Sequence, residues 1–253
     1  MKLHHQIQGE GRPLLILHGL FGSLDNWASQ AKALADEYQV ISVDLRNHGR
    51  SPHSDEMSYD AMAADLVELL DDLGIAGACV LGHSMGGKAA MQLALNHPER
   101  IERLIVVDIA PVQYPHHHDD VFKGLFAVDL STVRSRGDAE KQLTGFVADP
   151  MVRAFLLRNL YRTETGSFAW RINLEGLHQG YAGISAAPEG KPFDGPTLFI
   201  KGGNSDYIRA EHRDALLGLF PKATYKVVEG AGHWPQAEKP ALMTRLIRNF
   251  LES

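Results

Sequence analysis

Short, wholly apolar runs alternate with segments of helical spacing along most of this chain. Leu14-Leu15-Ile16-Leu17, Val40-Ile41-Ser42-Val43, the run from Ala78 into Ser84, Leu104-Ile105-Val106-Val107, Pro196 to Ile200 and Thr224 to Val228 predict strands. Between and after them, Trp27–Tyr38, Tyr59–Leu73, Lys88–Leu95, Ala210–Leu219 and Pro240–Leu251 predict helices. In Tyr59–Leu73, the apolar residues Ala63, Leu66, Val67 and Leu70 keep helical spacing, and Gly74 follows as a stop. The Trp27 helix is expected to be capped by Asp25 or Asn26. Continuous apolar strands alternating with helices predict an α/β fold, a mostly parallel sheet with helices on both faces.

The alternation stops near Pro111 and returns at Pro196. Residues 112 to about 191 carry no convincing strand but several helical stretches. Asp149-Pro150 supplies an N-cap followed by proline at the first helical position, and Met151–Leu160 continues it. Asn173–Tyr181 predicts another helix. The expected organisation is a core domain from residues 1–111 and 192–253, with a helical cap subdomain, 112–191, inserted into it.

Composition narrows the function classes. A length of 253 residues suits one sizeable core with an inserted subdomain. A net charge of −6 gives no support for nucleic-acid binding. No apolar run approaches a membrane span, and Met1 to Gln6 lacks an apolar signal core. The single cysteine, Cys79, lies in an apolar run; it reads as a small core residue and fits a reducing, cytoplasmic setting. His116-His117-His118 invites a metal reading, but consecutive residues cannot easily face one ion, so a solvated hinge is expected and no metal.

The chemistry concentrates at Gly82-His83-Ser84-Met85-Gly86, between a strand-like run and a helix. A serine on a strained strand-to-helix turn has its Oγ pushed outward, and larger residues at Gly82 or Gly86 would collide with the turn. The pattern alone is weak; its flanks make it specific. A serine needs a base to take its proton. Gly230-Ala231-Gly232-His233-Trp234 follows the last predicted strand, so His233 is the candidate base. His53, His97 and His212 read as exposed loop histidines, and His83 as packing that orients the elbow. The third member must be a carboxylate that fixes the imidazole tautomer. Asp108, ending one strand, and Asp206, just after another, both keep the order Ser, Asp, His.

Two backbone N–H groups are needed for the oxyanion: that of Met85, after the nucleophile, and one from His18-Gly19-Leu20-Phe21, with Leu20 first and Phe21 second. One such donor lowers a barrier by roughly 3 kcal/mol. Asp44 to Ser51 reads as a supporting polar loop held by Asp44 and Arg46. In the cap, Trp170 either lines an acyl pocket or anchors the subdomain. Arg171 reads as a surface ion-pair partner, and Trp234 as packing.

Taken in order, His18-Gly19, Asp44 to Ser51, the Gly82–Gly86 elbow and Gly232-His233 resemble the α/β-hydrolase superfamily over the whole length. His18 to Asn26, Arg46-Asn47-His48-Gly49, Val107 to Val112 and Gly202-Gly203-Asn204-Ser205 are similar to the small bacterial YbfF-type esterases. That resemblance implies a cytoplasmic, cofactor-free hydrolase of acyl esters, acyl-CoA thioesters included. It also implies Asp108 as the acid. In most of the superfamily an aspartate stands where this chain has Ser205, and Asp206 is one residue late, which keeps Asp206 as the alternative. The expectation is a serine hydrolase acting on a small-molecule acyl ester or thioester through an acyl-enzyme on Ser84. Its rivals are carbon–carbon bond hydrolysis, cofactor-free haloperoxidase action, and a catalytically silent ligand-binding module. Dehalogenase and epoxide-hydrolase chemistry are disfavoured, because they need aspartate at Ser84. The sequence is silent on oligomeric state.

Overall fold

In the computed structural model, which describes all 253 residues, an N-terminal α/β half precedes a long connection, and two further strands complete the sheet. The first half holds β1 (His5–Gln8), β2 (Arg12–Leu17), α1 (Ala28–Leu34), β3 (Tyr38–Val43), α2 (Tyr59–Asp72), β4 (Ala78–His83), α3 (Met85–Asn96) and β5 (Ile101–Val107). The connection carries α4 (Asp119–Ala127), α5 (Arg136–Leu143), α6 (Pro150–Leu156), a hairpin of β6 (Leu160–Arg162) and β7 (Phe168–Trp170), α7 (Leu174–Gln179) and α8 (Tyr181–Ser185). Then follow β8 (Thr197–Gly202), α9 (Arg213–Leu219), β9 (Ala223–Val228), α10 (Pro235–Glu238) and α11 (Pro240–Glu252).

The seven-stranded sheet has the order β1-β3-β2-β4-β5-β8-β9. β1 is antiparallel to β3; every other pairing is parallel. The period of two along each strand sorts its residues into two apolar layers. Leu14, Ile16, Cys79, Leu81, Ile105 and Val107 pack with Trp27, Leu34, Met243 and Ile247, beneath α1 and α11. Leu15, Leu17, Val80, Leu104 and Val106 face the other way, against α2 and α3. Both faces are covered, as the unbroken apolar runs require.

Local differences from the sequence reading have local causes. β1 was not anticipated: His5-Gln6-Ile7-Gln8 is a polar edge strand and carries no apolar run. The Trp27 helix is a 3-10 turn, Leu24–Trp27, followed by the shorter α1, and Tyr38 already belongs to β3. Its cap is Ser23, whose N–H donates to Asn26 Oδ1, so Asp25 and Asn26 lie inside the first turn. Asp149 caps α6 as expected, accepting from the Met151 N–H, but the helix ends at Leu156 and Leu160 enters a strand. The β6–β7 hairpin escaped the sequence reading because three-residue strands are too short to show alternation.

Candidate active site

Parallel strands deliver their C-terminal ends to one edge of the sheet, where open α/β sheets place their sites. Ser84 follows β4, Asp108 follows β5, Ser205 lies just past β8, and His233 follows β9. Ser84 has φ 53° and ψ −120°, a conformation that stores roughly 1–3 kcal/mol of strain. It is tolerated because the surrounding backbone closes so tightly. A Cβ on Gly82 would stand 2.1 Å from the Gly86 carbonyl oxygen, and one on Gly86 would stand 2.4 Å from that of His18.

The structure brings three of the predicted residues into hydrogen-bond contact. His233 Nε2 is 3.0 Å from Ser84 Oγ, and His233 Nδ1 is 2.7 Å from Asp108 Oδ2. Asp108 is fully buried and carries only acceptors when ionised, so Nδ1 bears the proton and Nε2 is left to accept from the serine. Asp108 Oδ1 also accepts from the Gly202 N–H at 2.9 Å, and Oδ2 from the Ser205 hydroxyl. Asp206 is exposed, and its backbone carbonyl, not its carboxylate, accepts from Arg209. The geometry therefore joins Asp108, not Asp206, to the imidazole. The Tyr207 ring stacks on that imidazole at 4.0 Å, and His83 Nε2 donates to the His233 carbonyl at 2.7 Å. His83 thus orients the base's own loop as well as the elbow.

The two candidates for the second oxyanion donor separate cleanly. The Phe21 N–H is already donated to His48 Nε2 at 3.1 Å, which removes Phe21 from that role. The N–H groups of Leu20 and Met85 donate to no protein acceptor, and both residues line the cavity at Ser84. A pair of buried imidazoles fixes this loop. His18 Nδ1 donates to the Gly19 carbonyl while its Nε2 accepts from the Leu45 N–H; His48 Nδ1 donates to the Arg46 carbonyl while its Nε2 accepts from Phe21. These bonds use each ring as donor and acceptor, which only the neutral form can do. Burial pushes the His18 pKa down to about 4 and that of His48 to about 3. Asp44 accepts from the Leu24 and Arg50 N–H groups, and Arg46 donates to Asp65 at 2.7 Å, the supporting role expected of that loop.

Two cavities reach Ser84. The outer one, about 570 Å³, is lined by Val121, Val152, Phe155, Leu156 and Trp234 beside His233. The inner one, about 30 Å³, is lined by Lys88, Ile109, Tyr114 and Ile184 and does not include His233. Trp170 lines neither: it pairs with Leu160 in the β6–β7 hairpin, so the substrate-binding assignment for it is corrected to an anchoring one. Trp234 instead contributes wall, with its ring 5.5 Å from Phe155.

Two of the three histidines are also more than a solvated hinge. His117 Nε2 meets the Tyr207 hydroxyl at 2.7 Å, His118 Nδ1 meets that of Tyr181, and both rings line the two cavities. Lys88 was not anticipated, because a lysine one helical turn beyond the serine reads as a solvated face. It is 1% exposed, donates to the Ser185 and Ala186 carbonyls, and lies 4.7 Å from the Tyr114 ring centre. Burial pushes its pKa down to about 7. Cys79 is a core residue as expected, its thiol pushed up to about 11 by burial. No helix is long and apolar enough to cross a membrane.

Known proteins are similar to this chain over nearly its whole length. Esterase YbfF of Escherichia coli K12 is 42% identical over 247 residues, covering 97% of this chain and 95% of that one. The sn-1-specific diacylglycerol lipase ABHD11 of Mus musculus is 43% identical over 247 residues, covering 94% and 80%. The solved structure of a marine microorganism esterase, 39% identical, superposes with a TM-score of 0.96 over 98% of this chain and 99% of that one. The α/β-hydrolase fold model matches residues 12–240, and the chain belongs to that family.

Proposed function

We propose that this chain hydrolyses carboxylic acyl esters, thioesters included, with Ser84 as nucleophile, His233 as general base and acid, and Asp108 as the carboxylate that orients it. The observation that carries this reading is the imidazole held 3.0 Å from Ser84 Oγ by one nitrogen and 2.7 Å from a buried carboxylate by the other. In the first half-reaction His233 Nε2 takes the serine proton as Oγ attacks the acyl carbon. The Leu20 and Met85 N–H groups stabilise the oxyanion. The carbon–oxygen or carbon–sulfur bond then breaks, and His233 gives its proton to the leaving alcohol or thiol. In the second half-reaction His233 takes a proton from water, hydroxide adds to the acyl carbon, and the acid leaves as Ser84 regains its proton.

His233 borders the outer cavity alone, so the leaving group occupies that cleft. The acyl group turns toward the inner cavity, whose about 30 Å³ suits a short chain. Residues 112–191 act as the cap over both, supplying Phe155, Val121 and Ile184 to their walls. The lone buried Cys79 accords with a cytoplasmic setting.

A fluorophosphonate probe followed by peptide mass spectrometry tests the core of this reading. Native protein should gain one adduct, on Ser84, and Ser84→Ala should gain none and lose ester turnover by at least about 10³-fold. An unlabelled Ser84 in folded protein, or full activity in Ser84→Ala, would remove it from the mechanism. A series of esters of graded acyl length should fall in kcat/KM beyond the shortest members.

A further inference from the structure

Leu20, Ser84, His117, His118 and Tyr207 line both the inner and the outer cavity. The space these residues share is where a scissile carbonyl sits, with the acyl group to one side of it and the leaving group to the other. Leu20 and Ser84 already have their parts there. Two of the remaining side chains spend their protons within the protein. The Tyr207 hydroxyl donates to His117 Nε2 at 2.7 Å, and His117 Nδ1 donates to the Pro115 carbonyl at 2.8 Å. His118 differs.

His118 stands just before α4, as its N-cap. Its Nδ1 lies 2.5 Å from the Tyr181 hydroxyl and is the one hydrogen-bond partner of that hydroxyl. Tyr181 is 5% exposed. A buried hydroxyl with one acceptor in reach donates to it, since the reverse arrangement would leave the O–H proton unpaired. Nδ1 therefore accepts, and the neutral ring carries its proton on Nε2. Burial first, then the neighbouring His117 and His233, push the His118 pKa down to about 3, so the ring is neutral. Nε2 has no protein partner. It is not sealed in the packing either: the sealed and unpartnered side-chain atoms belong to Trp27, Gln30, Arg153, Gln236 and Arg248. One unpaired N–H thus opens on the space around Ser84.

The residue that grips this ring fixes the side on which it acts. Tyr181 lines the inner cavity and not the outer one, so the donor belongs to the acyl end of the junction. We infer that His118 Nε2–H determines acyl specificity: it hydrogen-bonds an oxygen on the carbon beside the scissile carbonyl, and the favoured acyl groups are those of 2-hydroxy and 2-alkoxy acids. This rests on the reading that an acyl ester is cleaved at Ser84. A hydrocarbon chain at that point strips water from the N–H and offers nothing in return, whereas an oxygen restores the bond. A purely apolar wall would scarcely tell the two apart.

Two pairs of isosteric esters test the inference: phenyl glycolate against phenyl propionate, and phenyl methoxyacetate against phenyl butyrate. In each pair one oxygen replaces a methyl or methylene at the same place. Dividing each kcat/KM by the rate constant for hydrolysis of the same ester by hydroxide removes the intrinsic effect of that oxygen. The oxygen-bearing ester should then be favoured by at least about five-fold, the worth of one neutral hydrogen bond. A smaller ratio in both pairs would overturn the inference without any variant. His118→Phe keeps a flat ring without the N–H, and its fold is checked by its melting curve. It should bring both ratios below about two-fold; a preference that survives it would assign the donor to another group. Long-range proton–nitrogen spectra of Ser84→Ala protein at neutral pH should show His118 as the Nε2–H tautomer, and an Nδ1–H tautomer would remove the donor. The fluorophosphonate experiment keeps the two readings apart. A labelled Ser84 with equal corrected rates sinks the His118 assignment alone. An unlabelled Ser84, with an oxygen preference that His118→Phe abolishes, sinks the Ser84 nucleophile alone.

Discussion

At the scale of single residues, Asp108 and His48 support the proposed chemistry of Ser84 and His233 from behind. Asp108 gathers the His233 Nδ1–H, the Gly202 N–H and the Ser205 hydroxyl around one buried carboxylate. An amide there would present either the wrong tautomer or a clash of donors. Asp108→Asn should therefore cut kcat by about 10³–10⁴-fold, whereas Asp206→Asn, at an exposed site, should stay within about two-fold. Steady-state rates on one short ester decide between them, and the reverse ranking would reassign the acid. His48 acts at a distance by holding the Phe21 N–H. His48→Ala should let the Leu20 donor drift and lower kcat about 10-fold or more with little change in KM, since an oxyanion donor is worth roughly 3 kcal/mol. A lowered melting temperature with unchanged kcat would limit His48 to a structural role.

Among the elements, α3 does double duty. Its start carries the Met85 N–H beside Ser84, and one turn later Lys88 fastens the end of α8 to the core through the Ser185 and Ala186 carbonyls. Lys88→Met keeps the length of the side chain but leaves those carbonyls without their donor, and should cost about 1–3 kcal/mol in urea unfolding. The pH dependence gives a sharper test. The folded pKa is about 7, against an ordinary 10.5 in the unfolded chain. Between those values the unfolded chain holds a proton that the folded chain does not, so stability from this group rises with pH across that window. Wild type should gain in urea midpoint from pH 7 to pH 9, and Lys88→Met should lose that gain.

For the whole molecule, acid is the weak direction. His18, His48 and His83 are buried and neutral, with pKa values lowered from 6.5 to about 4, about 3 and about 3. Burial is the leading cause in each. Below pH 6.5 the unfolded chain binds protons that the folded chain refuses, so their stabilising contribution falls as pH drops from 6.5 toward those folded values. Each contributes a slope of up to about 1.4 kcal/mol per pH unit. Urea midpoints at pH 7, 6 and 5 should decline progressively, with proton uptake on unfolding of more than two per molecule near pH 5. A flat profile would mean that these rings are charged in the fold.

Much of this architecture was written along the chain. Apolar runs such as Leu14–Leu17 and Leu104–Val107 marked buried parallel strands because both faces of such strands are covered. The pair Gly82 and Gly86 marked the elbow because any Cβ there meets backbone within 2.4 Å. His233 was readable from its place after the last strand. What short-range pattern cannot encode is which side chains face one another across the fold. The identity of the acid rested on Asp108, Gly202 and Ser205 converging from separate strand ends. The choice of Leu20 over Phe21 rested on a bond from His48, and Trp170 missed the cavity because its hairpin turns it elsewhere. His117 and His118 read as a solvated hinge in sequence, and Lys88 as one more residue of a helix. Their environments are made by segments tens of residues away, so only tertiary packing could give them a role.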